Sequence, residues 1–484
     1  MSRGLGDVYK RQTQTYDVCR FDFEPAGALE FVNEYSGQAA APAAILISQN
    51  SGKHVPGENL TPWRCSMKQL KHSEFTAFIG IDWADTKHDI CIQPAGSTDR
   101  EFGRIAHQPE QIEQWAHDVY HRFGGPIAVM LELSKGPIVS ALQKHDFFVL
   151  FPVNPTTLAK YREAFKPSRA KDDPTDAELA IDLVLRHRDR FKPLQPQSIQ
   201  MRTLAHLVEK RRRLVDDRRR FANRLISALK AYYPQAVEWF SHKETFVFCA
   251  FITRWPTLQQ VKRARRITLE RFFREHHVRR PHLTEARIQA IRTATVLTDD
   301  PAVIQPCTLE VLALARQLET TLELIRQFDQ AIDQLVPKLP DYALFASLPG
   351  AGPVLTPRLL TAFGEDRDRF HSAAEVQQYC GIAPVTERSG KKSWVHWRWH
   401  CSTFVRQTFV EWAAKTVHRS FWAGAYYRQQ RSKGAAHQMA VRALAFKWVR
   451  ILYRCWKSRT PYNETLYLQA LQRRGSSLVP EQIT

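Results

Sequence analysis

The 484-residue sequence predicts an α/β domain with a mixed sheet, then a long-helical middle, then a mostly α-helical carboxyl-terminal unit. Three observations carry this. Short apolar runs bounded by turn residues recur between 75 and 153. Apolar residues return every three to four positions over 202–233 and 308–336. From 344 onward, apolar helical segments flank a Pro-Gly-Ala-Gly turn.

In the first region, FTAFIGID (75–82) reads as a buried strand ending in Asp82, HDICIQ (88–93) as a second strand and EFGRI (101–105) as a third. A helix over 108–122 carries Ile112, Trp115, Val119 and Tyr120 on one side. PIAVMLEL (126–133), a helix over 137–145 and the strand FFVLFPV (147–153) follow. The order β-β-β-α-β-α-β followed by a helix fits an RNase H-like fold, a mixed sheet with helices on both faces.

Leu204, Leu207, Val208, Leu214, Val215, Phe221, Leu225 and Leu229 stripe the first long helix, and Val311, Leu314, Leu318, Leu322, Ile325, Ile332 and Leu335 the second. The stripes are narrow enough to pair as a coiled coil, within the chain or across a dimer. LFASLPGAGPVLTPRLLTAFG (344–364) has the composition of a helix-hairpin-helix, in which Gly350 and Gly352 let backbone N–H groups approach a phosphate closely. An ordinary turn between two helices is the alternative. The resulting division is an extraneous or disordered segment over 1–66, an α/β catalytic domain over 67–195, a helical and basic region over 196–340, a carboxyl-terminal domain over 341–462 and a tail over 463–484. Met67 is the expected natural start; a genuine flexible tail is the alternative.

Charge is unevenly placed. The net charge is +20, yet 202–280 holds 20 basic against 7 acidic residues and 388–459 holds 16 basic residues against Glu411 alone. The remainder is therefore mildly acidic. Two basic modules imply a polyanionic partner. No apolar run reaches the ~18 residues that span a bilayer, which excludes an α-helical membrane anchor and favours nucleic acid. The eight cysteines are scattered without Cys-x-x-Cys spacing, against a disulfide framework or a zinc ribbon and in favour of a cytoplasmic protein.

Four carboxylates draw attention. Asp82 ends one buried strand, Glu132 nearly ends another, and Asp173 and Asp176 open the helical run DDPTDAELAIDL. Carboxylates gathered at one sheet edge repel one another, and one or two Mg²⁺ ions are their natural counter-charge. Asp173 also suits an N-cap, with Pro174 at the first helical position and Asp176 at the third, so capping competes with metal binding. Asp85 and Asp89 are nearby competitors for Asp82.

In RRRLVDDRRR, Arg211, Arg212 and Arg213 lie seven residues before Arg218, Arg219 and Arg220, hence on nearly one helical face that suits phosphate contact; a solvated flank is the alternative. In KKSWVHWRWHC, alternation sets Trp394, His396, Arg398 and His400 on one strand face. Most tryptophans of this basic module, Trp412 and Trp448 among them, fall at helical spacing and read as core. His396, His400 and Cys401 lack a distant fourth ligand for zinc.

The ordered set Asp82, Glu132, Asp173, Asp176, SLPGAGPV and YCGIAPV with ERSG resembles the DEDD transposases of the insertion-sequence 110 family, the bridge-RNA-guided recombinases. The likeness spans about 67–462. It implies a RuvC-like domain, a coiled coil and a transposase domain whose nucleophilic serine falls at Ser389, with Arg388, Lys391 and Lys392 neutralising developing charge. It further implies donor and target DNA, a structured guide RNA, a homodimer or homotetramer, and a bacterial cytoplasmic, nucleoid-associated location. Lys391-Lys392 replace small hydroxyl residues of the family pattern, which leaves Ser393 as a second candidate, and the LELSKG turn and the length of the middle region also depart from it. A metal-dependent nuclease using water and an inactive nucleic-acid-binding protein are the rival functions.

Overall fold

The computed structural model describes residues 74–165, 173–195, 197–390 and 392–478, all within one compact unit, Lys71–Thr484. The expected leader and the start at Met67 lie outside the described residues. Five strands form one sheet in the order β3-β2-β1-β4-β5: β1 (Ala77–Trp83), β2 (Lys87–Pro94), β3 (Glu101–Ala106), β4 (Ile127–Leu131) and β5 (Phe148–Pro152). β1, β2 and β3 make an antiparallel meander, and β4 and β5 continue it in parallel with β1. The parallel pairs require crossovers, which α1 (Pro109–Phe123) and α2 (Pro137–Leu142) provide.

Strand alternation sorts the two faces. Ile79, Ile81, Val129 and Leu131 point toward α1 and α2 and join Ile112, Ile138 and Leu142 in one core. The intervening residues face the other way. There α4 (Asp173–His187), which follows α3 (Pro155–Phe165), lies on β1, with Cys91, Ala177 and Ile181 packed together. A Cβ at Gly80 would stand 1.9 Å from the Ala177 carbonyl oxygen and 3.0 Å from the Ile181 nitrogen, so this crossing has no room for a side chain.

The middle is built on α5 (Ile199–Tyr232), followed by α6 (Gln235–Glu238), α7 (Phe246–Arg254), α8 (Leu258–Arg263), α9 (Arg266–Glu275), α10 (Pro281–Thr293) and α11 (Pro301–Leu335). α5 and α11 run antiparallel, since Arg211 pairs with Asp329 and Arg224 with Glu310. Their stripes bury one another inside a single chain, Leu225 and Leu229 with Val311, Leu314 and Leu318. α11 begins seven residues before the expected 308. Asp300 caps it by accepting from the Ala302 amide and Pro301 fills the first position, while Pro306 lies inside the helix and brings no N–H to its ladder.

The last unit comprises α12 (Tyr342–Ala346), α13 (Gly352–Phe363), α14 (Ala373–Tyr379), a hairpin of β6 (Val385–Ser389) and β7 (Lys392–His396), then α15 (Thr403–Thr416), α16 (Phe421–Ser432), α17 (His437–Ser458) and α18 (Glu464–Arg473). Trp412, Trp422, Trp448 and Trp456 are fully buried in its core, as their helical spacing implies. The strand expected through Cys401 stops at His396, so Arg398 and His400 leave the face shared by Trp394 and His396. Beyond 462, the expected tail includes α18, whose Glu464 accepts from the Ser420 hydroxyl and the Phe421 amide.

Gly80→Ala therefore lowers stability by at least about 2 kcal/mol in urea denaturation, because the new methyl must displace helix backbone. A second outcome concerns pH. His88 is fully buried on the α1 side with Nε2 3.0 Å from His107 Nδ1; burial, reinforced by His107, lowers its pKa from 6.5 to about 4. Between those values the unfolded chain binds a proton that the folded chain refuses, so stability falls as pH drops from 6.5 toward 4, by at most roughly 3 kcal/mol. Thermal melts of His88→Gln lack that component of the acid-side decline.

Candidate functional site

Ile81 and Leu131 are register partners in the parallel pair, so Asp82 and Glu132 follow side by side at the carboxyl ends of β1 and β4. Counting alternation from Gly80 and Met130, both continue the face that α4 covers. Asp82 also stands opposite Asp89 on β2. Two like charges facing across a ladder repel, and Asp89 is held in balance by Arg104 Nε at 2.8 Å and Lys87 at 3.6 Å. Asp89 is thereby engaged in two ion pairs. Asp85 lies in the exposed turn between β1 and β2.

α4 is directed by two contacts. Ala177 and Ile181 sit at Gly80, while Glu178 and Asp182 bind Arg100, the residue before β3, at 2.8 and 2.5 Å, so both contacts hold the middle of the helix. The helix already includes Asp173, so this residue lies inside the first turn rather than before it. Asp176 is 1% exposed and receives both Nε (2.5 Å) and Nη2 (2.6 Å) of Arg162 on α3. Asp82 and Glu132 thus share one edge and one face, and Asp173 and Asp176 lie in the first turn of the helix packed on that face. They do not make a ready ligand cage: among the described residues, no three His, Cys, Asp or Glu side chains come together to hold an ion. The donor set is hard oxygen throughout, the kind that suits Mg²⁺, but one member is already neutralised by Arg162.

Ser389 is exposed at the end of a two-stranded hairpin, paired with Lys392, and Arg388 pairs with Ser393. Gly390 supplies the positive φ, 55°, that so tight a turn needs. Lys391 lies outside the described residues. Glu387 on the same hairpin accepts from Trp394 Nε1 at 3.0 Å and lies 3.3 Å from His396 Nε2. Trp397 is gripped between Arg442 and Arg406, whereas Trp399 is 75% exposed. Just past the hairpin, His400 Nδ1 lies 3.4 Å from Thr156 Oγ1 at the start of α3. α3 follows β5, so the carboxyl-terminal unit touches the same sheet edge that carries the carboxylates.

The arginine triplets divide. Arg213, Arg219 and Arg220 are exposed, as expected of a phosphate-contacting surface. Arg211 and Arg212 are mostly buried and turn inward, Arg211 to Asp329 and Arg212 to Asp216 at 2.9 Å, while Arg218 is half-buried beside Glu244. Seven-residue spacing could not reveal this, because the packing of α11 and α13 decides which side of α5 is covered. Gly350 has φ of 72°, and a Cβ there would meet the Lys415 backbone at 3.1 Å; Trp412 Nε1 donates to Pro349 at 3.0 Å. That glycine serves packing of the turn on α15. Gly352, at φ 56°, is open to solvent. Sequence reasoning missed Arg162, since no local pattern joins residues whose meeting depends on how α3 packs on α4.

Two family descriptions match. "Transposase" covers residues 79–234 and "Transposase IS116/IS110/IS902 family" covers 342–428. The chain is 29% identical over 398 residues to the mini-circle putative transposase for IS117 of Streptomyces coelicolor, covering 80% of this chain and 96% of that one. It is 27% identical over 299 residues to the insertion element IS116 uncharacterized 44.8 kDa protein of Streptomyces clavuligerus, covering 61% and 73%. A putative transposase of Sinorhizobium fredii, y4uE, is 26% identical over 212 residues, covering 42% and 57%. With both matched segments in the order of the carboxylate edge and the Pro-Gly-Ala-Gly unit, this chain belongs to the insertion-sequence 110 family of transposases.

Proposed function

We propose that the protein is an insertion-sequence recombinase in which an RNase H-like carboxylate edge and the Ser389 hairpin act on one DNA strand. Family membership implies an enzyme that cuts and rejoins DNA. The observation that carries the finer reading is the His400–Thr156 contact, which brings the chain just past the Ser389 hairpin to the sheet edge of Asp82 and Glu132. The strand order, an antiparallel meander followed by two parallel strands, supports the RNase H-like assignment.

On this reading Asp82, Glu132, Asp173 and Asp176 would hold one or two Mg²⁺ ions, for which Asp176 would have to leave Arg162. A bound Mg²⁺ supplies Lewis-acid polarisation of the scissile phosphate. Ser389 Oγ attacks the phosphorus and forms a serine phosphodiester as the bond to the departing strand breaks. The hydroxyl proton ends on the departing oxygen, and the ester keeps the energy needed for rejoining. Arg388, Lys391 and Lys392 offset charge developing on the phosphate. Arg213, Arg219, Arg220 and Gly352 face DNA or a structured guide RNA, and Trp399 offers a ring for base stacking. Exchange of two strands calls for a homodimer or homotetramer. The partners are nucleic acids, and no described helix is long and apolar enough to cross a membrane.

Purified protein incubated with Mg²⁺, the element's DNA and its candidate RNA should yield protein covalently attached to a DNA end, and Ser389→Ala, still folded, should yield none. Free DNA ends that persist in that variant would sink the serine mechanism in favour of water. Asp176→Asn leaves Arg162 buried without its counter-charge and costs about 3 kcal/mol in urea denaturation. Asp82→Asn, shown to be folded by circular dichroism, abolishes cutting. Unchanged cutting in Asp82→Asn removes that residue from the site.

A further inference from the structure

A cleft of about 180 Å³ lies where α5, α11, α13 and α15 meet, on the inner side of the long helix pair. Four arginines line it, Arg211, Arg212, Arg218 and Arg358, against two carboxylates, Asp329 and Glu411. Just outside the lining, Asp216 pairs with Arg212 and Glu244 lies beside Arg218, so the four guanidinium groups are balanced in number but crowded together. Arg358 is 7% exposed; its Nε donates to Thr408 Oγ1 at 3.0 Å and its Nη1 to Glu411 at 2.6 Å. Its Nη2 is buried without a hydrogen-bond partner. Arg218 Nε lies 2.8 Å from Glu244 without hydrogen-bond alignment and is likewise buried and unsatisfied. Glu411 is shared, because Arg212 approaches it at 3.8 Å and Gln407 donates to it at 2.6 Å.

Buried guanidinium groups are costly when their donors are unmatched, and repulsion among several of them adds to the cost. Burial lowers the Arg358 pKa, and Arg212 and Arg211 work in the same direction against Glu411. The first two turns of α13 line the cleft through Pro353, Val354, Pro357 and Arg358. What is missing is an acceptor for the buried Arg358 Nη2 and Arg218 Nε.

We propose that this cleft binds one phosphate group, gripped by Arg212 and Arg358 with Arg211 and Arg218 at its sides. Arginine forks match the oxygens of a phosphate, and those oxygens supply the acceptors that Arg358 Nη2 and Arg218 Nε lack. The volume admits a tetrahedral oxyanion and an ester substituent. Two sources carry that chemistry, the backbone of a nucleic acid and a free phosphate compound. The site does not depend on Ser389 or on the carboxylate edge.

Inorganic pyrophosphate titrated calorimetrically into the full-length protein tests this. Binding should be saturable, Arg212→Gln should weaken it by about tenfold, and Glu411→Gln should strengthen it, since a competing carboxylate is removed. The opposite signs distinguish a ligand site from a structural network, which both substitutions would only loosen; circular dichroism verifies folding of each variant. Absence of saturable heat, or a shift of both variants in one direction, overturns the proposal. A short DNA duplex or single strand that displaces pyrophosphate competitively assigns the site to nucleic acid, and simultaneous binding assigns it to a free phosphate compound. Ser389→Ala should bind pyrophosphate like the parent, so the fate of the serine mechanism leaves this outcome untouched.

Discussion

Between Gly80 and Ala177 the backbone of a strand and the backbone of a helix approach so closely that a single methyl would overlap a carbonyl oxygen. Much of the carboxylate edge depends on that crossing. It fixes how deeply α4 lies on β1 and therefore how far its acidic first turn reaches beyond the strand end. Glycine is required here for proximity, without any unusual dihedral. The Arg100 pairs with Glu178 and Asp182 brace the same middle stretch of the helix.

Given that placement, electrostatics governs the edge. Asp82 and Asp89 face each other, and the sheet tolerates the arrangement because Arg104 sits beside Asp89. Asp176 is buried deeply enough that a lone charge would be severely penalised, and Arg162 answers it in bidentate fashion. The same carboxylate cannot serve Arg162 and a cation at full strength. On the proposed reading, a divalent ion would have to displace Arg162 from Asp176 by better replacing its lost hydration.

The alternation of apolar residues made the five strands legible, and with them the positions of Asp82 and Glu132 at strand ends. The two long helices were legible for the same reason, one periodicity sustained over many turns. Tertiary choices were less so. Nothing in RRRLVDDRRR says that Arg211 and Arg212 turn inward while Arg213 stays outside, because the covering element, α13, is more than a hundred residues away in sequence. Ser389 illustrates a different limit. A Ser-Gly pair in a basic stretch reads as a loop, and only the register of Ser389 with Lys392 makes it the end of a hairpin.

That hairpin needs support, since an isolated two-stranded ribbon is marginal in water. Both of its strands are largely exposed, so the support comes from its base. Arg398 donates to the Ala383 carbonyl, Arg442 donates to the carbonyls of Gly381 and Ile382, and Trp397 is held between Arg442 and Arg406. Cys401 closes against Gly381, where no Cβ would fit. The base is rigid and the far end projects into solvent with Arg388 and Lys392 upon it. Lys135 binds Glu209 on α5, and Ser198 at the start of α5 binds Glu365, so the long helix joins the loop after Glu132 to the unit that carries the hairpin. Tied at both places, the helix divides its arginines by what covers it: Arg211 and Arg212 turn into the packing, and Arg213, Arg219 and Arg220 stay exposed.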